Sequence, residues 1–409
     1  MTRIRRTTPW ARGLTLICLV LLCLMSLSAC DDTASEPGAG AEPNTARTGF
    51  AGLGESVDGF AHARPGMALS FPDDHGPHPD FRIEWWYLTA NLQDERGEPL
   101  GMQWTLFRQA QRPRTDDAGA AETSPWATDQ LWMAHMALSR GASHRVAERF
   151  TRGSSVPQPG TALQAGVTAR PFRAWLDNWR LESLAADASG ETAGDALDQL
   201  RLTAQAEDDS GTFGYRLELD AEGPLVRHGV EGFSQKSADG QGSMYYSQPF
   251  YRISGEVLLD GERVAVSGRA WLDREWSSQL LSANQSGWDW FSLHLDSGAR
   301  LMAFRLRGGG EGSGDYLSGS WIAPDGKVTP LHGTGLALTQ LESADAAGHR
   351  VPVRWRLTLP EKGLELEVAA RHANRWMNTS VPYWEGAVSV SDAASGAPRG
   401  EGYLEMTGY

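Results

Sequence analysis

The chain is 409 residues long, more than one ordinary core accommodates and suited to two domains. With 41% hydrophobic and 22% charged residues it is neither wholly disordered nor collagen-like. Setting aside the leading Arg3, Arg5, Arg6 and Arg12 takes the formal net charge from −14 to −18, which argues against nucleic acid or anionic headgroups as main partners of the body.

The first elements in chain order form an address. Met1–Arg12 is short and basic, and Leu14–Leu27 is almost continuously apolar but too short to span a bilayer. Leu27-Ser28-Ala29-Cys30 then matches a bacterial lipobox, so residues 1–29 are expected to be a signal peptide and Cys30 the acylated N-terminus. Cys18 and Cys23 leave with the signal, so Cys30 would be the sole mature cysteine, with no partner for an intramolecular disulfide. Asp31 resembles the signal that retains lipoproteins at the inner membrane, on the periplasmic face. Residues 30–49 are rich in Ala, Gly, Glu, Pro and Thr and read as a flexible tether.

From Phe50 onward short aromatic and aliphatic runs alternate with turn signals. Arg82–Leu92, Leu100–Gln109, Leu131–Ser139, Phe172–Leu184, Leu200–Ala206 and Phe213–Leu219 come first. Tyr251–Leu259, Arg263–Leu272, Trp288–Leu295, Leu301–Arg307, Leu317–Ile322, Val353–Leu359, Leu364–Ala370 and Val381–Val390 follow. Asp260-Gly261, Asp296-Ser297-Gly298, Asp325-Gly326 and Lys362-Gly363 stand where hairpin turns belong. The expected class is all-β, as antiparallel barrels or sandwiches. An internal echo joins Trp85–Leu92 to Trp288–Leu295, and Met102–Leu106 to Met302–Leu306 after a shorter turn. The polar, Gly-rich Gly232–Ser243 is the natural seam, giving domains over 50–243 and 244–409.

The chain lacks the GxGxxG, Walker, HExxH, GxSxG and CxxC patterns, which removes the main support for nucleotide, zinc-peptidase, serine-hydrolase and redox readings. His75 and His78, among Asp73, Asp74 and Asp80, would suit either a metal site or a stiff, hydrogen-bonded lead into the first strand, and the three prolines favour the second. No cofactor or metal is expected. On a strand, His135 shares a face with Met133 and Ala137, opposite Trp132, Ala134, Met136 and Leu138. Likewise Trp271, Asp273 and Glu275 share one face, and Leu272, Arg274 and Trp276 the other. A carboxyl among indole rings loses solvation and rises in pKa, which suits it to protonate an olefin beside aromatic faces. The alternative is an ion-pair cluster pinning a strand end, with the rings as core.

Together, Asp74–Pro79 running into Glu84-Trp85-Trp86-Tyr87, His135 with its flanks, Tyr245-Tyr246-Ser247, Gly268–Ser278, Gly287–Leu295 and Trp384-Glu385-Gly386 resemble the CrtC/AttH lipocalin-like family, which joins AttH-type lipoproteins to the carotenoid 1,2-hydratases. The AttH-type lipoproteins are the nearer of the two. The resemblance spans about Phe60 to Tyr409 and implies two consecutive lipocalin-like β-barrel domains in pseudo-twofold relation. It also implies that Asp273 would be the acid, with Trp271, His135 and Tyr245 or Tyr246 as helpers, and that Glu84, Trp86, Glu275, Trp288 and Trp290 would contact a ligand. Glu275-Trp276 after Asp273 is more typical of the lipoproteins than of the hydratases, and reaction does not follow from fold.

Two functions are therefore expected, in this order. The first is a membrane-anchored module holding an apolar or amphipathic, lipid-like molecule in its barrel, alongside an ABC-type transporter. The second is a hydratase or isomerase of an isoprenoid or lipid double bond that uses Asp273. An enzyme should leave Asp273 facing a pocket with a raised pKa, whereas a carrier allows it to be paired with Arg274 or Arg269.

Overall fold

The computed structural model describes residues 58–114, 129–153, 163–184, 195–309 and 314–409, and all of them lie in one compact unit, Thr45–Tyr409. The expected signal peptide, Cys30 with Asp31, and the tether to residue 49 lie outside the described residues.

The described chain is all-β apart from short 3-10 turns. Its first sheet opens with β1 (Ile83–Asp94), β2 (Pro99–Ala110), β3 (Gln130–Arg140) and β4 (Ser143–Arg152). It continues with β5 (Ala165–Ala169), β6 (Phe172–Leu176), β7 (Trp179–Ser183), β8 (Gln199–Asp208) and β9 (Gly211–Ala221). The short β10 (Val226–Arg227) and β11 (Phe233–Gln235) precede the long β12 (Gly242–Leu259) and β13 (Glu262–Ser277). The second sheet holds β14 (Gln285–Leu295), β15 (Arg300–Gly308), β16 (Tyr316–Ile322), β17 (Val328–His332) and β18 (Ala337–Ala346). It ends with β19 (His349–Leu359), β20 (Leu364–Ala370), β21 (Trp376–Met377), β22 (Tyr383–Asp392) and β23 (Pro398–Thr407).

Strand order repeats between the sheets. The first runs β4-β3-β2-β1-β13-β12-β9-β8-β7-β6-β5 and the second β17-β16-β15-β14-β23-β22-β20-β19-β18, so in each the opening strand is zipped to the closing one. The first sheet curls until β2, β3 and β4 meet β6, and the second wraps Phe291, Leu331 and Val351 into one core. These are two lipocalin-like antiparallel barrels. Their hairpins use the expected turns: Asp260 and Gly261 both adopt positive φ (54° and 79°), the pairing a two-residue β12–β13 turn requires.

Three readings change. β12 and β13 hydrogen-bond into the first sheet, so the change of sheet falls at residues 278–284 and not at the seam 232–243, which lies inside the first sheet. A glycine-rich polar segment marks only a loop, and here the chain returns through it to close the same barrel. Phe172–Leu184 is two strands, broken where Asp177 takes positive φ. Finally, the echo holds for β1 and β14 but is one residue out on their partners. Trp85 pairs with Phe107 and Trp288 with Leu306, so Leu306 matches Phe107 and not Leu106. With a side-chain period of two, that single step moves Leu306 to the opposite face from Leu106.

Both barrel interiors are filled. Trp86, Trp104, Trp132 and Trp179 sit fully buried in the first, and Trp355 and Trp384 in the second. A third apolar cluster, including Tyr87, Tyr245, Trp271, Trp290, Phe304 and Tyr403, lies between the sheets. The alternation of β1 explains it: Trp86, Leu88 and Ala90 point into the barrel, while Trp85 and Tyr87 point out toward the second sheet.

Candidate functional site

Between the sheets lies a cavity of about 250 Å³. That is slightly below the usual range for small-ligand sites, roughly 300–1,000 Å³. Its rim is apolar and half-exposed, with Ile83, Trp85, Phe107, Met133, Trp288 and the 43% exposed Phe150. Its floor is buried and polar, with Thr105, His135, Lys236, Asp273 and Glu275. The cavity is therefore not a barrel lumen, because the lumens are packed with indole rings. It is a cleft lined by the outward faces of β1, β2, β3 and β13 and by their counterparts on β14, β15 and β23.

Strand register builds the floor. Ser247, Asp273, Tyr87, Thr105, His135 and Glu148 stand side by side across β12, β13, β1, β2, β3 and β4. The Asp273 carboxyl accepts from the Trp271 indole N–H (2.6 Å), the Tyr245 hydroxyl (2.9 Å) and the Ser247 hydroxyl. Burial pushes its pKa up, the three donors pull it back, the Glu275 charge adds to the rise, and the result is about 7. Arg274 points to the other face of β13, so every hydrogen-bond partner of Asp273 is neutral.

Behind Asp273, His228 joins the sheets: its Nε2 lies 2.7 Å from the Ser247 hydroxyl and its Nδ1 2.9 Å from Ser320. Burial and the Lys236 charge hold His228 neutral, down to about 3. Since Ser247 donates to Asp273, Nε2 carries the proton and Nδ1 accepts from Ser320. Lys236 pairs with Glu275 at 2.8 Å and lies over the Phe304 and Tyr245 rings, which balances that charge within the cleft.

His135 is placed differently. Its Nδ1 lies 2.9 Å from the Tyr383 hydroxyl and its Nε2 3.0 Å from Glu148, which Ser380 also holds. Burial lowers its pKa against the pull of Glu148, so it is a neutral ring donating to Glu148. Across the cleft, the Trp288 indole donates to Glu405 at 2.6 Å, and burial raises that carboxyl to about 7. Beside Glu405 on β22, Glu385 accepts from Tyr87 and is held well above the ordinary carboxylate range by burial and by the Glu405 charge.

Of the expected catalytic residues, Asp273 and His135 line the cleft, and Trp271 and Tyr245 brace Asp273 from behind. Tyr246 does not belong: its hydroxyl lies 2.7 Å from His75 on the barrel side. Of the expected ligand contacts, Glu275, Trp288 and Trp290 line the cleft, whereas Glu84 and Trp86 face the barrel interior. Glu84 bonds both Arg108 and Arg274, and these guanidiniums hold it ionised against the upward pull of burial. The histidine-rich lead plugs that end of the barrel. Trp86 donates to the His75 carbonyl (2.9 Å), Arg274 to that of Gly76, and His78 stacks on Trp276 at 3.8 Å. Among the described residues no cluster of three or more His, Cys, Asp or Glu is arranged to hold a metal ion. Sequence reasoning missed Lys236, Tyr87, Tyr383, His228 and Glu405. The last was within reach, since Tyr403, Glu405 and Thr407 alternate with the core residues Leu404 and Met406.

A family model described as AttH-like matches residues 62–409. The chain belongs to the AttH-like family. A crystal structure of an AttH protein from Nitrosomonas europaea is similar at 34% identity and a TM-score of 0.69, covering 86% of this chain and 100% of that one. Kievitone hydratase from Nectria haematococca shares the fold, with a TM-score of 0.57 at 15% identity over 85% of this chain and 96% of its own. A search of curated proteins finds no significant match to this AttH-like chain.

Proposed function

We propose that this AttH-like protein binds an apolar or amphipathic, isoprenoid-like small molecule in the cleft between its barrels, and that Asp273 protonates a carbon–carbon double bond of it, as hydration or isomerisation requires. The observation that carries the reading is a carboxyl in the cleft floor with only neutral hydrogen-bond partners and a pKa near 7. An acid raised into that range can give a proton near neutral pH and regain one. Tyr87, Trp290 and Phe304 line the same cavity, and aromatic rings are the side chains that steady a developing cation. The hydratase among the fold relatives is compatible with this but shows the fold alone.

The apolar rim favours a second reading, a carrier that holds the same class of molecule without altering it. We propose in addition that Cys30 is acylated and anchors the chain at the periplasmic face of the inner membrane, alongside an ABC-type transporter. Intact-mass measurement of the membrane-extracted protein tests the acylation.

The two readings of the cleft separate in one experiment. The full chain is incubated with farnesol in D2O, with binding followed by tryptophan fluorescence and deuterium uptake by mass spectrometry. The acid reading expects deuterium on alkene carbons, reduced about 10²–10⁴-fold by Asp273→Asn. Bound farnesol that takes up no deuterium supports the carrier and contradicts the enzyme.

A further inference from the structure

The proposed proton donation leaves Asp273 ionised, and a second acceptor for the proton that the adding water releases would leave Asp273 free of the attacking side. The repeat of the fold supplies one. On the second sheet, Glu385, Glu405, Trp290, Phe304, Ser318 and His332 stand side by side across β22, β23, β14, β15, β16 and β17. This row is the counterpart of the Asp273 row: Trp290 takes the place of Tyr87 on the opening strand, and Glu405 takes the place of Asp273 on the closing strand.

The two carboxyls face one cavity. Each is linked to the other's sheet by a single ring. Tyr87, the direct neighbour of Asp273, donates its hydroxyl to Glu385, the cross-strand neighbour of Glu405. Trp290, the direct neighbour of Glu405, donates its indole N–H to Tyr245 (3.1 Å), whose hydroxyl binds Asp273. The two rings meet edge to face, with centroids 5.3 Å apart. The indole of Trp271 serves Asp273 as that of Trp288 serves Glu405.

Resting on the reading of Asp273 as the acid, we infer that Glu405 is the second proton-transferring group of the cleft and accepts the proton of the water that adds to the substrate. The π pair of the alkene forms a C–H bond with the Asp273 proton, leaving an Asp273 carboxylate and a carbocation. Water forms a C–O bond to the cation and passes one proton to the Glu405 carboxylate. Alkene and water have become an alcohol. One proton passing from Glu405 through solvent to Asp273 restores the start. Burial raises both carboxyls toward neutrality, so each can hold or release a proton in the cleft.

An apolar epoxide tests the arrangement without the natural substrate. With 1,2-epoxyoctane at pH 7, the epoxide C–O bond breaks as its oxygen takes the Asp273 proton, and the Glu405 carboxylate forms an ester on carbon. Peptide mapping of the full chain is expected to find the ester at Glu405, none in Glu405→Gln, and labelling at least about tenfold slower in Asp273→Asn. Glu405→Gln keeps an acceptor for the Trp288 indole, and its melting curve checks the fold. An unmodified Glu405 in the wild type overturns the inference. An ester on Asp273 in its place makes Asp273 the ionised member, which overturns the inference and the acid reading together. Labelling of Glu405 at an unchanged rate in Asp273→Asn overturns the acid reading alone and leaves Glu405 as a reactive group of the cleft.

Discussion

Glu84 with its partners and Asp273, on opposite sides of the first sheet, treat charge in opposite ways. On the barrel side, Arg274 and Arg108 share Glu84, and the Gly76 and His78 carbonyls take up further guanidinium donors. On the cleft side, one residue along, Asp273 is equally buried but meets only neutral donors. The first arrangement matches each charge and fixes the plug at the barrel end. The second leaves an acid whose ionisation is costly, a poor use of a buried group for stability and a suitable one for moving protons.

Breaking the matched Glu84 cluster should therefore cost more folding energy than altering Asp273. Glu84→Ala leaves two buried guanidiniums without their carboxylate, and a loss of about 3–5 kcal/mol in denaturant unfolding is expected. A loss below about 1 kcal/mol would remove this contrast.

The next effect is pH dependence. Asp273 is raised from 3.8 to about 7 and Glu405 from 4.5 to about 7. A carboxyl raised on folding binds its proton more tightly in the native state. Its stabilisation is full below the unfolded pKa near 4 and is lost as pH rises through 7. For Asp273 this amounts to roughly 4 kcal/mol at most between pH 4 and 8. Asp273→Asn should flatten that part of the stability profile measured by urea unfolding. An unchanged slope would mean that Asp273 is ionised in the native protein.

Tyr245→Phe acts on the same carboxyl. It removes one donor to Asp273 and strands the Trp290 indole N–H, at about 1–3 kcal/mol. The lost bond favours the ionised form, so the Asp273 pKa should rise further, by about one unit in a carboxyl titration. The smallest effect is expected at an exposed pair. Arg354→Ala, which releases Glu342 and Glu367 at the surface of the second sheet, should leave thermal unfolding unchanged.

Much of the fold was legible because most strands announce themselves by alternation or by aromatic runs, and the turns by their Gly and Asp. Among the strands not seen, β4 is charged along its length, and β23 opens on Pro398, Gly400 and Gly402, which masks the alternation from Tyr403 to Thr407. Glu148 and Glu405 went unnoticed with them. Parity along β13 placed Asp273 and Glu275 on one face correctly, because a strand fixes its own faces. Which face meets a cavity depends on the sheet opposite, and no local pattern carries that. Glu84 and Trp86 were therefore assigned to a ligand, although Trp85 and Tyr87 are the neighbours that reach the cleft. The ring-rich composition suited a lumen pocket, but side-chain volume decided otherwise: the rings fill the lumens and leave the space between the barrels.

The most direct measurement is an infrared titration of the protonated-carboxyl C=O stretch in the wild type and in Asp273→Asn. The expected difference between them is a band that disappears with a midpoint near pH 7. A difference band that has gone by pH 5 would place Asp273 among ordinary carboxylates and contradict its role as the acid of the cleft.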